Sequence, residues 1–163
     1  MPNSTSASPS AHCVKIVPHA FDPWHELQHY QSRFLHQGQF GATATFVGTM
    51  RDFNEGDGVT GMTLEHYPGM TEASMAEIVA TAAERWELLG AHVVHRVGRL
   101  LPGEQIVLVL VASPHRADAF AACEFIMDYL KTDAVLWKRE DYQGEARWLH
   151  SAEGDKVRRA GWE

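Results

Sequence analysis

The run Ile106-Val107-Leu108-Val109-Leu110-Val111-Ala112 is seven consecutive apolar residues, bounded by Gln105 and Ser113. It is far too short to cross a bilayer, which takes about 20 residues. Its β-branched content and its length favour a strand. A strand with no polar side chain on either face reads as central, buried on both sides. The chain must therefore supply covering layers for two faces, and the remaining periodicities show what it has available.

Three segments have helical spacing. Asp22-Pro23 reads as a helix start, followed by Trp24, Leu27, Gln31 and Phe34 three or four apart. A second helix is expected from about Thr71 to Leu89, with Met75, Ile78, Val79, Ala82, Trp86 and Leu89 on one side and Gly90 placed to end it. Ser113-Pro114 has the form of an N-cap followed by Pro at the first helical position. The helix it opens carries Phe120, Cys123, Ile126, Met127 and Leu130 on one face. Strands are expected at Val14–Val17, Gly41–Val47, Gly61–His66, His92–Val97, Gln105–Ala112, Val135–Glu140 and Arg147–His150. Asp52–Gly58 reads as a mobile loop, and turns are expected at Pro102-Gly103 and Gly144. After a leading helix the order β-β-α-β-β-α-β-β means an α+β fold with a mostly antiparallel sheet. Residues 1–12 read as a disordered tail rich in Ser, Pro and Ala, 13–150 as one domain, and 151–163 as a C-terminal tail.

A net charge of −7 argues against general nucleic-acid binding, because no excess of Lys and Arg is present to neutralise phosphates. Cys13 and Cys123 are far apart and lack metal-ligand spacing, and Cys123 reads as a buried, reduced thiol. The first twelve residues are polar and small, unlike a signal peptide, so a cytoplasmic protein is expected.

Three groups of residues could carry chemistry. His25-Glu26-Leu27-Gln28-His29 matches the H-E-x-x-H pattern, in which two His one helical turn apart hold zinc beside a general base. The competing reading is an exposed face of an amphipathic helix, because no third ligand stands in a recognisable context. His92 and His95, three apart on a strand, fall on opposite faces, so one is expected to pack and the other to face solvent. Arg51 after a strand, with His115 and Arg116 in the first turn of a helix, would suit a phosphate, since free N–H groups and the helix dipole favour an anion there. Surface ion pairing is the alternative for the two Arg. Finally, only four of the fourteen basic side chains are Lys, yet Lys131 and Lys138 lie within eight residues. Lys can give up its proton where Arg cannot, and a second ammonium close by promotes that loss. A Lys at a helix C-terminus is equally a capping choice.

These residues fall in strings that resemble the molybdopterin synthase catalytic-subunit family. The strings are Phe46-Val47-Gly48-Thr49-Met50-Arg51-Asp52, Leu64-Glu65-His66-Tyr67-Pro68-Gly69-Met70, His95-Arg96-Val97-Gly98, Ser113-Pro114-His115-Arg116-Ala117-Asp118, and Asp128-Tyr129-Leu130-Lys131 with Trp137-Lys138-Arg139-Glu140. They stand in family order and spacing over about Phe40 to Trp148. The resemblance implies an α/β-hammerhead fold with an additional antiparallel β subdomain, and a homodimer within a heterotetramer. The partner it implies is a small ubiquitin-like sulfur-carrier subunit ending in a Gly-Gly thiocarboxylate. Sulfur would pass from that carrier to cyclic pyranopterin monophosphate and form the dithiolene of molybdopterin, without a metal or other cofactor. This chain ends Ala160-Gly161-Trp162-Glu163, which marks it as the acceptor rather than the carrier.

By the same resemblance Lys131 and Lys138 match the family's catalytic lysines. Arg51, His115 and Arg116 match its phosphate-binding pocket, and Thr49, Met50, Arg139 and Glu140 line the same motifs. One departure is visible. Val135 stands where the family usually places Pro, and it retains a backbone N–H that Pro would lack.

Overall fold

The computed structural model describes residues 11–51, 53–54, 57–142, 145–149 and 153–163. Most of the expected N-terminal tail, parts of the Asp52–Gly58 loop, the Gly144 turn and the strand end at His150 lie outside the described residues. The first half contains β1 (His12–Val17), α1 (Pro23–Phe34), β2 (Ala42–Thr49), β3 (Phe53–Asn54), β4 (Asp57–His66) and α2 (Met70–Arg85). The second half contains β5 (Gly90–Arg96), β6 (Gly98–Leu100), β7 (Gln105–Ser113), α3 (Arg116–Thr132), β8 (Leu136–Tyr142), β9 (Glu145–Leu149) and α4 (Glu153–Ala160).

The apolar run becomes β7, and it is central. The first sheet has the order β1-β5-β7-β2, with β7 antiparallel to both neighbours and β1 parallel to β5. Val107, Val109 and Val111 point to one face, where α2 and α3 cover them with Met75, Ile78, Val79, Phe125 and Ile126. Leu110 and Ala112 point to the other face, under Tyr30 and Leu35. Period-two alternation thus splits one apolar run between two cores. Phe125 is fully buried, with Trp86, Tyr129 and Trp162 ringed around it at centroid distances of 5.3, 4.3 and 5.6 Å. Burial of a side chain of this size contributes about 1.5–3 kcal/mol.

Helix α1 starts as expected, with the Asp22 carboxylate accepting from the N–H of Trp24 at 2.9 Å and Pro23 in the first turn. It crosses the sheet closely because β5 begins at Gly90. A Cβ there would collide with the Tyr30 hydroxyl, which donates to the carbonyl of Ala11.

A second, antiparallel sheet is built on β4, flanked by β8 and β6, with β3 pairing its start and β9 extending β8. Its own core consists of Met50, Met62, Leu64 and Leu100 among the described side chains. The chain is therefore α+β with an additional antiparallel subdomain.

Four expectations need correction. Helix α2 stops at Arg85, before Gly90, because Trp86 turns extended and the next residues bond to the neighbouring strand end: Leu89 N–H donates to Ala112 O, and Glu87 O accepts from Ser113. Ser113 does not cap α3. It is the last residue of β7, its hydroxyl donates to Glu87 O and accepts from the N–H of His115 at 3.2 Å, and His115 holds the N-cap position. His92 and His95 occupy opposite faces, yet both are buried, since β5 is covered on both sides like β7. The segment expected as a C-terminal tail carries α4, which packs on α3.

Candidate active site

Helix α3 leaves the end of β7, runs back beside β7 and β2, and delivers Lys131 in its last turn. Because β2 is antiparallel to β7, the far end of β2, with exposed Thr49 and Arg51, lies at this same end of the molecule. Between α3 and β2 runs an open groove of about 760 Å³. Phe46, Phe120 and Met127 form its apolar walls, Cys123 lies in its floor, and Lys131 is among its charged lining residues. The helix periodicity placed Phe120 on the correct face, but the residue is 68% exposed because the groove is open above it.

Burial raises the Cys123 thiol to about 11, with the Glu124 charge adding, so this sulfur stays protonated and inert near neutral pH. His95, on the helix-covered face of β5, is pushed down to about 4 by burial, against the hydrogen bond it makes to Arg96 O and with the charge of Lys131 adding to the shift. It is a neutral neighbour of that lysine.

Lys138 comes from the second sheet. Cross-strand partners share a face, so Lys138 opposite Leu64 and Glu140 opposite Met62 point to the side of the small core. The Lys138 ammonium is 3.4 Å from Glu140 Oε1. Arg139 points the other way, with Nη2 3.5 Å from Thr63 Oγ1, so one strand does not bring Arg139 and Lys138 to one site. Met50 is 6% exposed in the small core, and its backbone bonds to Gly103 and Glu104. It pins the chain between Thr49 and Arg51 to the turn before β7, with its side chain turned into the small core. The link from α3 to β8 is anchored too. Thr71 Oγ1 donates to Val135 O at 2.6 Å, and Val135 N–H donates to Ser74 Oγ at 3.3 Å. The hydrogen bond that Val135 permits and Pro would forbid is made.

His115 and Arg116 are exposed at the opposite end of α3. Fifteen residues of helix separate Arg116 from Lys131, roughly 22 Å at 1.5 Å per residue. Within one chain, then, Arg51 shares an end with Lys131, whereas His115 and Arg116 do not.

The H-E-x-x-H pattern lies on α1 with both His exposed and their rings stacked at 6.3 Å. Glu26 turns inward to accept from Lys15 at 2.7 Å, and it lies 3.1 Å from His92 Nε2. Partial burial opposes its charge, but those two hydrogen bonds outweigh it and hold its pKa below the ordinary carboxylate value. A carboxylate so engaged is not aimed at a water between His25 and His29. Among the described residues no group of three or more His, Cys, Asp or Glu could hold a metal ion. Among them, too, no helix is long and apolar enough to cross a membrane.

Two lining residues of the groove, Asp155 and Arg158, lie on α4. Sequence reasoning left them out because α4 is short and its polar residues have no apolar stripe beside them to mark a packed face.

Comparison with known proteins agrees with this architecture. The profile of the MoaE protein family matches residues 21–133, a span that includes Lys131 and stops short of Lys138. A molybdopterin synthase catalytic subunit from Ralstonia nicotianae is 57% identical over 124 residues, covering 76% of this chain and 70% of that protein. One from Vibrio cholerae is 55% identical over 137 residues, 83% of this chain and 90% of the relative. The solved molybdopterin biosynthesis MoaE protein from Burkholderia ambifaria superposes with a TM-score of 0.77 at 44% identity, over 93% of this chain and 97% of that one. A Helicobacter pylori chain, solved as a protein–protein complex of subunit 1 and 2 of molybdopterin-converting factor, shares the fold with a TM-score of 0.70 at 22% identity, over 88% and 97% of the two chains. The chain belongs to the MoaE protein family, among relatives that are molybdopterin synthase catalytic subunits.

Proposed function

We propose that this chain is the sulfurtransferase subunit that moves sulfur from the C-terminal thiocarboxylate of a small ubiquitin-like carrier to cyclic pyranopterin monophosphate in the cytoplasm. The observation that carries this reading is the open groove with Lys131 in its lining. Its walls are apolar where an extended, side-chain-poor tail would lie, and a cation stands where the thiocarboxylate charge would arrive. The thiocarboxylate sulfur attacks a carbon of the pterin side chain as a C–O bond to that carbon breaks, the oxygen leaving as water at one carbon and, at the other, with the opened cyclic phosphate, which stays on the substrate. Water then breaks the acyl–sulfur bond, releasing the carrier as a carboxylate and leaving sulfur on the substrate, and a second round completes the dithiolene. Lys131 stabilises the charge that moves during attack. Lys138, arriving from the second sheet, binds substrate and transfers a proton, with Glu140 beside it to hold its ammonium.

The phosphate requires cations and N–H donors. Arg51 is at the Lys131 end, and Thr49 sits beside it in the same strand end. His115 and Arg116, roughly 22 Å away along α3, reach such a site only from a second copy of the chain. A homodimer in which the N-terminal end of one α3 approaches the Lys131 end of the other assembles these five side chains, and with two carriers it forms the heterotetramer.

The test is single-turnover conversion of cyclic pyranopterin monophosphate with a thiocarboxylated carrier, product being detected as oxidised molybdopterin. Dithiolene product is expected, and Lys131→Ala is expected to lower turnover by about a thousandfold or more. Carrier binding should survive that change, because one side chain contributes little to a large interface. Normal turnover in Lys131→Ala would remove the lysine from the mechanism, and absence of product with competent carrier and substrate would make the chain a docking module.

A further inference from the structure

Lys131 follows Asp128 on α3 by three residues, the spacing at which an acidic and a basic side chain meet on one helix face. Both line the groove. Left to itself, the Asp128 carboxylate is the nearest partner on its own helix for the Lys131 ammonium. The structure gives that carboxylate two other donors, both from the C-terminal segment. Arg158 Nε donates to Asp128 Oδ1 at 3.0 Å, and Trp162 Nε1 donates to Oδ2 at 2.7 Å, so each oxygen is engaged. Asp128 is 6% exposed beneath them.

The segment is fastened independently of Asp128. Arg158 also reaches Glu124, and Arg159 makes a two-pronged contact with Asp133 at 2.8 and 2.9 Å. The Trp162 ring stands edge-on to Trp86 and Phe125, and Arg85 donates to the Trp162 carbonyl at 2.9 Å. Helix α4 is thus held in a fixed place with two donors directed at one carboxylate, one helical turn from the lysine.

We infer that Arg158 and Trp162 are positioning residues for sulfur transfer: by donating to both oxygens of Asp128 they satisfy that carboxylate and weaken its pull on the Lys131 ammonium back along the helix. The inference rests on the reading of Lys131 as the charge-stabilising group. It gives the C-terminal helix a role through electrostatics at the active site, beyond the place of Arg158 in the groove lining. Removing Arg158 takes the charged donor from the carboxylate, its attraction for Lys131 grows, and the ammonium is then displaced from its working position.

The experiment is a double-mutant cycle read by single-turnover sulfur transfer with the full-length chain and thiocarboxylated carrier. Arg158→Ala should slow transfer roughly ten- to a hundredfold, the size expected when a reacting group is displaced by about 1 Å. In an Asp128→Asn background the same substitution should have no further effect, because the amide carries no charge to compete for the lysine. Trp162→Phe keeps an aromatic ring and removes the N–H, so it should slow transfer less and be suppressed by Asp128→Asn in the same way. It also carries the test if Arg158→Ala fails to fold. An equal loss in the Asp128→Asn background would assign α4 to structural support or carrier contact and overturn the inference, as would wild-type rates in both single variants. If Lys131→Ala itself turned over normally, the underlying reading would have failed, an outcome distinct from either.

Discussion

The two sheets use the same backbone chemistry for different ends. In the first, β5 and β7 are covered on both faces, and the largest core cluster joins Val93, Val109 and Val111 to residues of α2 and α3. In the second, four described side chains make the core, and the strands keep Lys138, Arg139 and Glu140 in one short stretch. The central strands of the first sheet, closed on both faces, have stability to spare but nowhere to admit a ligand, and the groove opens only beside the edge strand β2. A sheet closed on one face by a few methionines and leucines can present charge. The proposed site takes Lys131 from a helix fastened to the first sheet and Lys138 from a strand of the second. The rigid layer thereby fixes one lysine and the sparse layer offers the other.

Core truncations test this division most strongly. Phe125→Ala should cost about 3–5 kcal/mol and Leu64→Ala about 2–3 kcal/mol, the lower figure because a small core at the edge of the molecule can collapse around the gap. Urea unfolding of both variants measures it, and equal losses would break the comparison.

Acid should act on the covered sheet first. Burial holds His95 near 4 against an ordinary 6.5, so between those values the unfolded chain binds a proton that the fold refuses. Stability is then complete above about pH 6.5 and declines as pH falls towards 4, by about 3 kcal/mol at most. His12 and His92, also lowered by burial, add in the same direction. His95→Asn keeps a donor for the Arg96 carbonyl and should flatten most of the loss between pH 7 and 4.5 in urea midpoints. An unchanged slope would place the acid sensitivity elsewhere.

The smallest effect is expected at the exposed face of α1. His25→Ala should leave stability within about 0.5 kcal/mol, with metal content and turnover unaltered. Stoichiometric zinc that disappears with this substitution would restore the H-E-x-x-H reading and give the covered sheet a chemistry of its own.

Much of this was legible beforehand. The seven-residue apolar run specified a strand buried on both sides, and Asp22-Pro23 specified a helix start, because alternation and capping are local properties of a few neighbouring residues. The strings around Arg51, Lys131 and Lys138 pointed to the family in the same way. Residues with two uses were harder to read. Ser113 has the chemistry of a cap, but its hydroxyl serves the carbonyl of Glu87. Met50 lies in a site motif, but its side chain belongs to a core.

The sequence by itself determined the elements, their faces and the residues able to do chemistry, since these depend on side-chain type and spacing along the chain. Only the tertiary structure decided which of them meet. The separation of His115 and Arg116 from Lys131 follows from the length and direction of α3. The opposed directions of Lys138 and Arg139 follow from their register against β4, and the hold of Arg158 and Trp162 on Asp128 follows from where α4 comes to rest. Contacts between residues distant in sequence are selected by packing and long-range pairing, and no local pattern encodes them.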